Sequence, residues 1–294
     1  FATANPGVSA SAHWVTIEAQ ERALDFSRVE LRWDPAARRV SGTTDNVGRL
    51  ALQPPAPADG RPCRVELDGQ PPLELVPEPK SGVLRLARAG GAWRPAGPVS
   101  RSHKGPHRAG PFKEAFGNRM QFVYATGGTP EENAWALAKA RFDSESFWYR
   151  GNASIELVPD TAFRPDQDPE RGVILYGHAD SNAAWQALLG DSPVQVTREA
   201  VRIGPRTLAG PDLACLFLRP RPGSATASVG VVAGTGAVGR RLTERVPYFL
   251  AGVAFPDVTV FGPESLEIGA GGARAAGFFG QDWSVDAGEI AFRP

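Results

Sequence analysis

Val231-Val232-Ala233-Gly234-Thr235-Gly236-Ala237-Val238-Gly239-Arg240-Arg241 is an apolar run that ends in G-x-G-x-x-G and continues as a polar, helix-like segment. β-Branched residues, then glycines, then a helical period predict a strand, a tight turn and a helix. The same spacing is the dinucleotide fingerprint, in which glycines let a pyrophosphate approach the backbone at a helix N-terminus. Its surroundings oppose that use. The fingerprint belongs to the first βαβ unit, whereas this motif follows several earlier strand-like runs. The acid expected about 20 residues on, at the tip of the next strand, is missing: that tip reads Phe261-Gly262-Pro263, and Glu264 comes after the proline. The glycines are expected to serve a sharp turn and close packing, with an anion or partner group at the helix N-terminus as the alternative. No cofactor is expected.

Working outward, residues 112–294 alternate strand and helix. Gln121–Ala125 is an apolar strand, and Thr126-Gly127-Gly128-Thr129 is a tight loop. Pro130-Glu131-Glu132-Asn133 opens a helix to about Trp148, with proline early and acids in its first turn. Ser154–Val158 and Gly172–Gly177 are strands. The loop His178-Ala179-Asp180 leads into a helix over Ser181–Leu189. Val194–Thr207 reads as a hairpin, Ala214–Leu218 and Val229–Ala233 as strands, Val238–Leu250 as a helix and Val258–Phe261 as the last strand. This order predicts a mostly parallel sheet covered on both faces, Rossmann-like or flavodoxin-like in the broad sense.

Residues 1–100 carry short alternating runs, such as Val29-Glu30-Leu31-Arg32-Trp33, separated by turn signals such as Asp68-Gly69. About seven strands without a helical period predict a small Ig-like β-sandwich. Residues 101–111, rich in Pro, Gly and basic side chains, are expected to be a linker lying along the next domain.

Lys plus Arg and Asp plus Glu both number 32, so no net charge draws the chain to nucleic acid or anionic lipid. No apolar run approaches the ~20 residues of a membrane span. Cys63 and Cys215 are expected to be buried free thiols, and four scattered histidines offer no zinc spacing. The opening Phe1-Ala2-Thr3 carries neither an initiator Met nor a signal region, and reads as a processed chain or part of a longer one.

Three loops, 126–129, 177–182 and 234–239, each follow a strand and precede a helix. In an open α/β sheet they fall on the edge where ligands bind. Candidate ligand-binding residues are therefore Thr126, Gly127, Gly128, Thr129, His178, Asp180, Ser181, Asn182, Gly234, Thr235 and Gly236. Helix capping wants the same residue types and competes with that reading. No catalytic residue is assigned, because no G-x-S-x-G exists. Gly190-Asp191-Ser192 has the letters of a GDS nucleophile block, but it follows a helix and lacks a D-x-x-H partner. His178 is expected to be a solvated loop histidine, the Glu131-Glu132 pair to be solvated, and Arg240-Arg241 to be solvated or paired. Trp33 or Trp93 offers a further, carbohydrate-binding possibility on the sandwich.

Longer strings carry a resemblance. GPFKEAFGNRMQFVYATGGTPEENAWALAKARFD (110–143), VILYGHADSNAAW (173–185), GRRLTERVPYFLAGVAFPDVTVFGPE (239–264), ARAAGFFGQDWS and the opening TANPGVSASAHWVTIEAQ resemble the C-terminal region of bacterial, planctomycete-like serine hydrolases of the prolyl oligopeptidase or α/β-hydrolase type. The resemblance covers nearly the whole chain but includes no catalytic motif. It implies a non-catalytic accessory part, partnered by the hydrolase domain of a parent polypeptide, and secreted or periplasmic if that parent carries a signal peptide. The alternative is a module binding a small anion or carbohydrate, or a weak enzyme, at the sheet-edge crevice.

Overall fold

Alternating apolar side chains decide the N-terminal half. In a strand, successive side chains point to opposite faces, so every second residue can be buried. A computed structural model describes residues 1–55, 59–117, 119–250, 253 and 255–293. It divides into two compact units, Phe1–Ala109 and Gly110–Pro294.

The first unit contains β1 (Ala2–Thr3), β2 (Ser11–Ala12), β3 (Val15–Gln20), β4 (Ser27–Asp34), β5 (Arg39–Asp45), β6 (Val47–Leu52), β7 (Cys63–Leu67), β8 (Leu73–Leu75), β9 (Leu84–Ala89) and β10 (Ala92–Pro95). They form two five-stranded sheets, in the orders β1-β4-β5-β7-β8 and β10-β9-β6-β3-β2. Val29, Val40 and Val65 of one sheet share a core with Ile17, Leu50 and Leu86 of the other, so the unit is a sandwich. Asp68, in the Asp68-Gly69 turn, ties the sheets together. It accepts from Thr44 N at 2.6 Å on one side and from Trp93 Nε1 at 2.8 Å on the other. Trp93 is therefore a core residue and not a carbohydrate platform, and Trp33 is half-buried against the same core.

The second unit contains β11 (Met120–Tyr124), α1 (Pro130–Gly151), β12 (Glu156–Pro159), β13 (Gly172–Tyr176), α2 (Trp185–Leu189), β14 (Val194–Val196), β15 (Ala200–Ile203), β16 (Arg206–Ala209), β17 (Ala214–Pro220), β18 (Ser228–Gly234), α3 (Gly236–Leu242), β19 (Val258–Phe261), α4 (Ser265–Ile268), β20 (Ala273–Phe278) and β21 (Glu289–Phe292). The main sheet has eight strands in the order β12-β11-β13-β18-β17-β19-β20-β21. β12, β11, β13 and β18 run parallel, and every pairing from β18 onward is antiparallel. The expected parallel sheet is thus one half of a mixed sheet. Val258–Phe261 is not its last strand, because β20 and β21 follow.

Paired residues share a face, so register shows what covers the parallel half. Phe122, Ile174 and Gly230 lie in one row. A Cβ on Gly230 would come within 2.8 Å of the Ala115 Cβ, which places residues 112–116 over that face. Tyr176, two residues beyond Ile174, hydrogen-bonds Asp143 of α1 at 2.9 Å, so α1 covers the same face. Val123, Leu175, Val231 and Phe217 form the opposite row. Trp185 of α2 packs on Phe217, with ring centroids 6.1 Å apart.

Two predicted helices are shorter than expected. Residues 181–184 form hydrogen-bonded turns, because His178 O accepts from both Ser181 N and Asn182 N; helix begins only at Trp185. α3 stops at Leu242, a 3-10 turn follows over Thr243–Arg245, and Pro247 cannot continue a helix. Ala251, Gly252 and Ala254 lie outside the described residues. The predicted hairpin is three-stranded, in the order β14-β15-β16. Both cysteines are free and buried.

Candidate functional site

Thr129 starts α1 as a capping box: its hydroxyl accepts from Glu132 N, and the Glu132 carboxylate accepts from Thr129 N at 2.9 Å. That would be an ordinary cap if Glu132 faced water. It is instead 4% exposed and stands where the three predicted loops meet. Arg198, at the tip between β14 and β15, grips it with a two-pronged fork, Nε to Oε1 at 2.8 Å and Nη2 to Oε2 at 3.0 Å. Arg240 of α3 donates to Oε1 at 3.4 Å, and His178 Nε2 lies 3.3 Å from the same oxygen. These bonds, that from Arg198 foremost, overcome burial and lower the carboxyl from 4.5 to about 2.

Each loop supplies the residues foreseen, but their polar groups are committed to one another. Gly127 N donates to Ser181 O at 2.9 Å, Gly128 N to Asn133 Oδ1 at 2.9 Å, and His178 N to Ser181 Oγ at 3.1 Å. Thr126 Oγ1 donates to Asp160, and Asn182 Nδ2 to the carbonyls of Val123 and Tyr176. Asp180 accepts from Arg198 N at 2.8 Å, which anchors the β14–β15 tip over the sheet edge. Thr235 N donates to Leu213 O at 2.8 Å, and Gly236 N to Arg198 O at 3.2 Å.

The opening glycines answer to the same crowding. A Cβ on Gly234 would lie 2.4 Å from Arg240 N, one on Gly236 2.3 Å from Pro211 O, and one on Gly239 2.2 Å from Leu213 O. Gly236 also has φ +55. The backbone that these glycines admit closely is the chain's own.

Two expectations are corrected, those for His178 and Glu132, and for Arg240 the paired alternative is the one observed. His178 is not solvated: it is 1% exposed, and burial lowers its pKa below 6.5. Because the Glu132 carboxylate can only accept, His178 Nε2 carries a proton, and burial disfavours a second one on the ring. Its Nδ1 has no hydrogen-bond partner and faces Asp180 Oδ2 at 3.9 Å. Glu132 is buried, whereas Glu131 is exposed. Arg240 is buried and paired, and only Arg241 is exposed. Arg198 was the one partner with no signal in the sequence, because only the folded hairpin brings it to a helix 66 residues earlier.

Next to this site, Lys139 pairs with Asp143 at 2.7 Å, and Asp143 also accepts from Tyr176 and Tyr248. Burial lowers the lysine and raises the aspartate, and it raises both phenols well above 10.0. The cluster fastens α1 to β13. Ser192 of the Gly190-Asp191-Ser192 run accepts from Val194 N at 3.2 Å. Among the described residues, no group of three or more His, Cys, Asp or Glu side chains is arranged to hold a metal ion. Among the described residues, no helix is long and apolar enough to cross a membrane.

No protein-family model matches the chain, and no curated protein is significantly similar to it in sequence.

Proposed function

We propose that this chain is a non-catalytic accessory segment of a larger serine hydrolase, of peptidase or esterase type, which docks on the hydrolase domain or on another partner. The resemblance of its long strings to such proteins motivates the reading. One structural observation supports it most: the edge of the parallel sheet, where an α/β catalyst displays its reactive groups, has its donors and acceptors closed around Glu132. In this reading the first unit is an Ig-like sandwich. The second is a Rossmann-like or flavodoxin-like domain whose ligand edge has become a structural lock. A small anion or carbohydrate at that edge is the weaker alternative, because the Glu132 carboxylate occupies the place an anion would take.

The test is labelling by a fluorophosphonate probe, with hydrolysis of p-nitrophenyl acetate, on the 294-residue chain alone. Neither labelling nor turnover is expected. Stoichiometric labelling of one serine would overturn the reading. The reading frame upstream of the Phe1 codon is expected to encode a serine hydrolase domain, and an unrelated sequence there would equally refute it.

A further inference from the structure

The row of side chains that passes beneath α1 continues across the antiparallel half of the sheet. Tyr176 is paired with Val232, Val232 with Leu216, Leu216 with Thr259 and Thr259 with Ala276. The row begins with a tyrosine and ends with the small side chains of Thr259 and Ala276. Among the described residues, its far end is flanked by the chain leaving α3, by Phe255 and Pro256, and by the four-residue α4 with the turn after it. A large side chain at 276 would fill the gap; alanine leaves it open. The result is a cavity of 440 Å³, within the range of small-molecule sites. Leu242, Val246, Phe255, Phe261 and Leu266 supply its walls.

Three features distinguish this cavity from a packing defect. Thr259 lines it, is 3% exposed, and its Oγ1 has no hydrogen-bond partner. Buried hydroxyls are normally satisfied. Ser265, also in the lining, has a second buried hydroxyl without a partner. At the rim Leu266 is 62% exposed, and Arg245 is exposed and makes no ion pair among the described residues. Apolar walls with an exposed arginine at the mouth, unpaired among the described residues, are the complement of one kind of molecule. We infer that this cavity binds a small amphiphile, an acyl chain ending in a carboxylate, with the chain over Ala276 and the head beside Arg245. The walls are apolar, so they suit an acyl chain, whereas a sugar would leave most of its hydroxyls without partners against them. The inference is independent of the proposed function, since it uses no residue of the Glu132 site.

The experiment is calorimetric titration of the 294-residue chain with decanoate, and with decanol as the uncharged control. Saturable one-to-one binding of decanoate is expected. Ala276→Trp should abolish it while leaving the unfolding temperature and circular dichroism near wild type. Arg245→Glu should weaken decanoate roughly two- to five-fold, the range of an exposed ion pair, and leave decanol unchanged. Failure of decanoate to saturate would overturn the inference. So would unaltered binding to a folded Ala276→Trp chain. If Ala276→Trp does not fold, Thr259→Leu, which also fills the floor of the cavity, takes its place under the same criterion.

Discussion

Replacing Glu132 by Gln removes one charge and nearly preserves shape, so it isolates what the buried carboxylate contributes. In the folded chain the Glu132 carboxyl falls from 4.5 to about 2, because Arg198 donates to it and the remaining bonds together outweigh burial. A depressed folded value means that the unfolded chain takes up the proton first as pH falls. The stabilisation is therefore complete well above 4.5, declines as pH drops from there towards about 2, and is lost below that. At about 1.4 kcal/mol per pH unit, it amounts to roughly 3 kcal/mol near neutrality and roughly half of that at about pH 3. The glutamine would also leave the Arg240 side chain, 9% exposed, beside a neutral amide; one-sided loss of a buried pair costs about 3–5 kcal/mol. The two figures describe the same interaction and are not summed. Urea unfolding of wild type and Glu132→Gln, followed by tryptophan fluorescence, is expected to show a loss of about 3 kcal/mol near pH 7. The gap should narrow by roughly 2 kcal/mol between about pH 5 and pH 3, as the wild type loses its advantage. A difference below about 1 kcal/mol at neutral pH would refute the reasoning, because that is the value of a solvated pair. A gap that does not change with pH would refute it equally.

Gly239→Ala is expected to lower stability by at least about 2 kcal/mol, because its Cβ would stand 2.2 Å from Leu213 O. Gly97→Ala, with no atom within 4 Å of the new carbon, should stay within about 0.5 kcal/mol, and equal thermal unfolding of the two would contradict the tight-turn account. Arg221 is 1% exposed and donates to the carbonyls of Pro165, Gln167, Asp168 and Arg171. Arg221→Lys cannot reach all four, so amide exchange across residues 165–171 should quicken about tenfold or more; unchanged protection would count against this clamp. The His178 ring should titrate below 6.5 by NMR, since burial disfavours its charge. The stability tied to its neutral form is present above 6.5 and is lost as pH falls towards its lower folded value; a midpoint above 6.5 would contradict the neutral, buried ring.

Much of the architecture was legible because it is local. Period-two patterning such as Val29-Glu30-Leu31-Arg32-Trp33 depends only on which side chains avoid water, and it marked β3, β4, β5, β6, β7 and β9 of the sandwich but not the short β1, β2, β8 and β10. The early Pro130 and the acids after it likewise start α1 at the expected residue. The glycine spacing at 234–239 correctly read as a strand, a sharp turn and a helix. By itself it did not tell whether the closeness served a ligand or the chain. Only the fold decides that, by bringing Pro211 and Leu213 against Gly236 and Gly239. The direction of β17 and of the strands beyond it was equally hidden, because apolar runs look alike in parallel and antiparallel pairs. Burial of charge was the largest miss. Glu132 and His178 each have the local sequence of a solvated residue, and for Arg240 the sequence left solvation and pairing open. They are buried because a hairpin tip bearing Arg198 folds over the sheet edge and matches their charges at hydrogen-bonding distance. The sequence alone determined which segments could be strands and helices, since that depends on neighbours along the chain. Which polar groups meet, and which cavity stays open beneath α4, was decided by tertiary structure, since both depend on residues far apart in the chain.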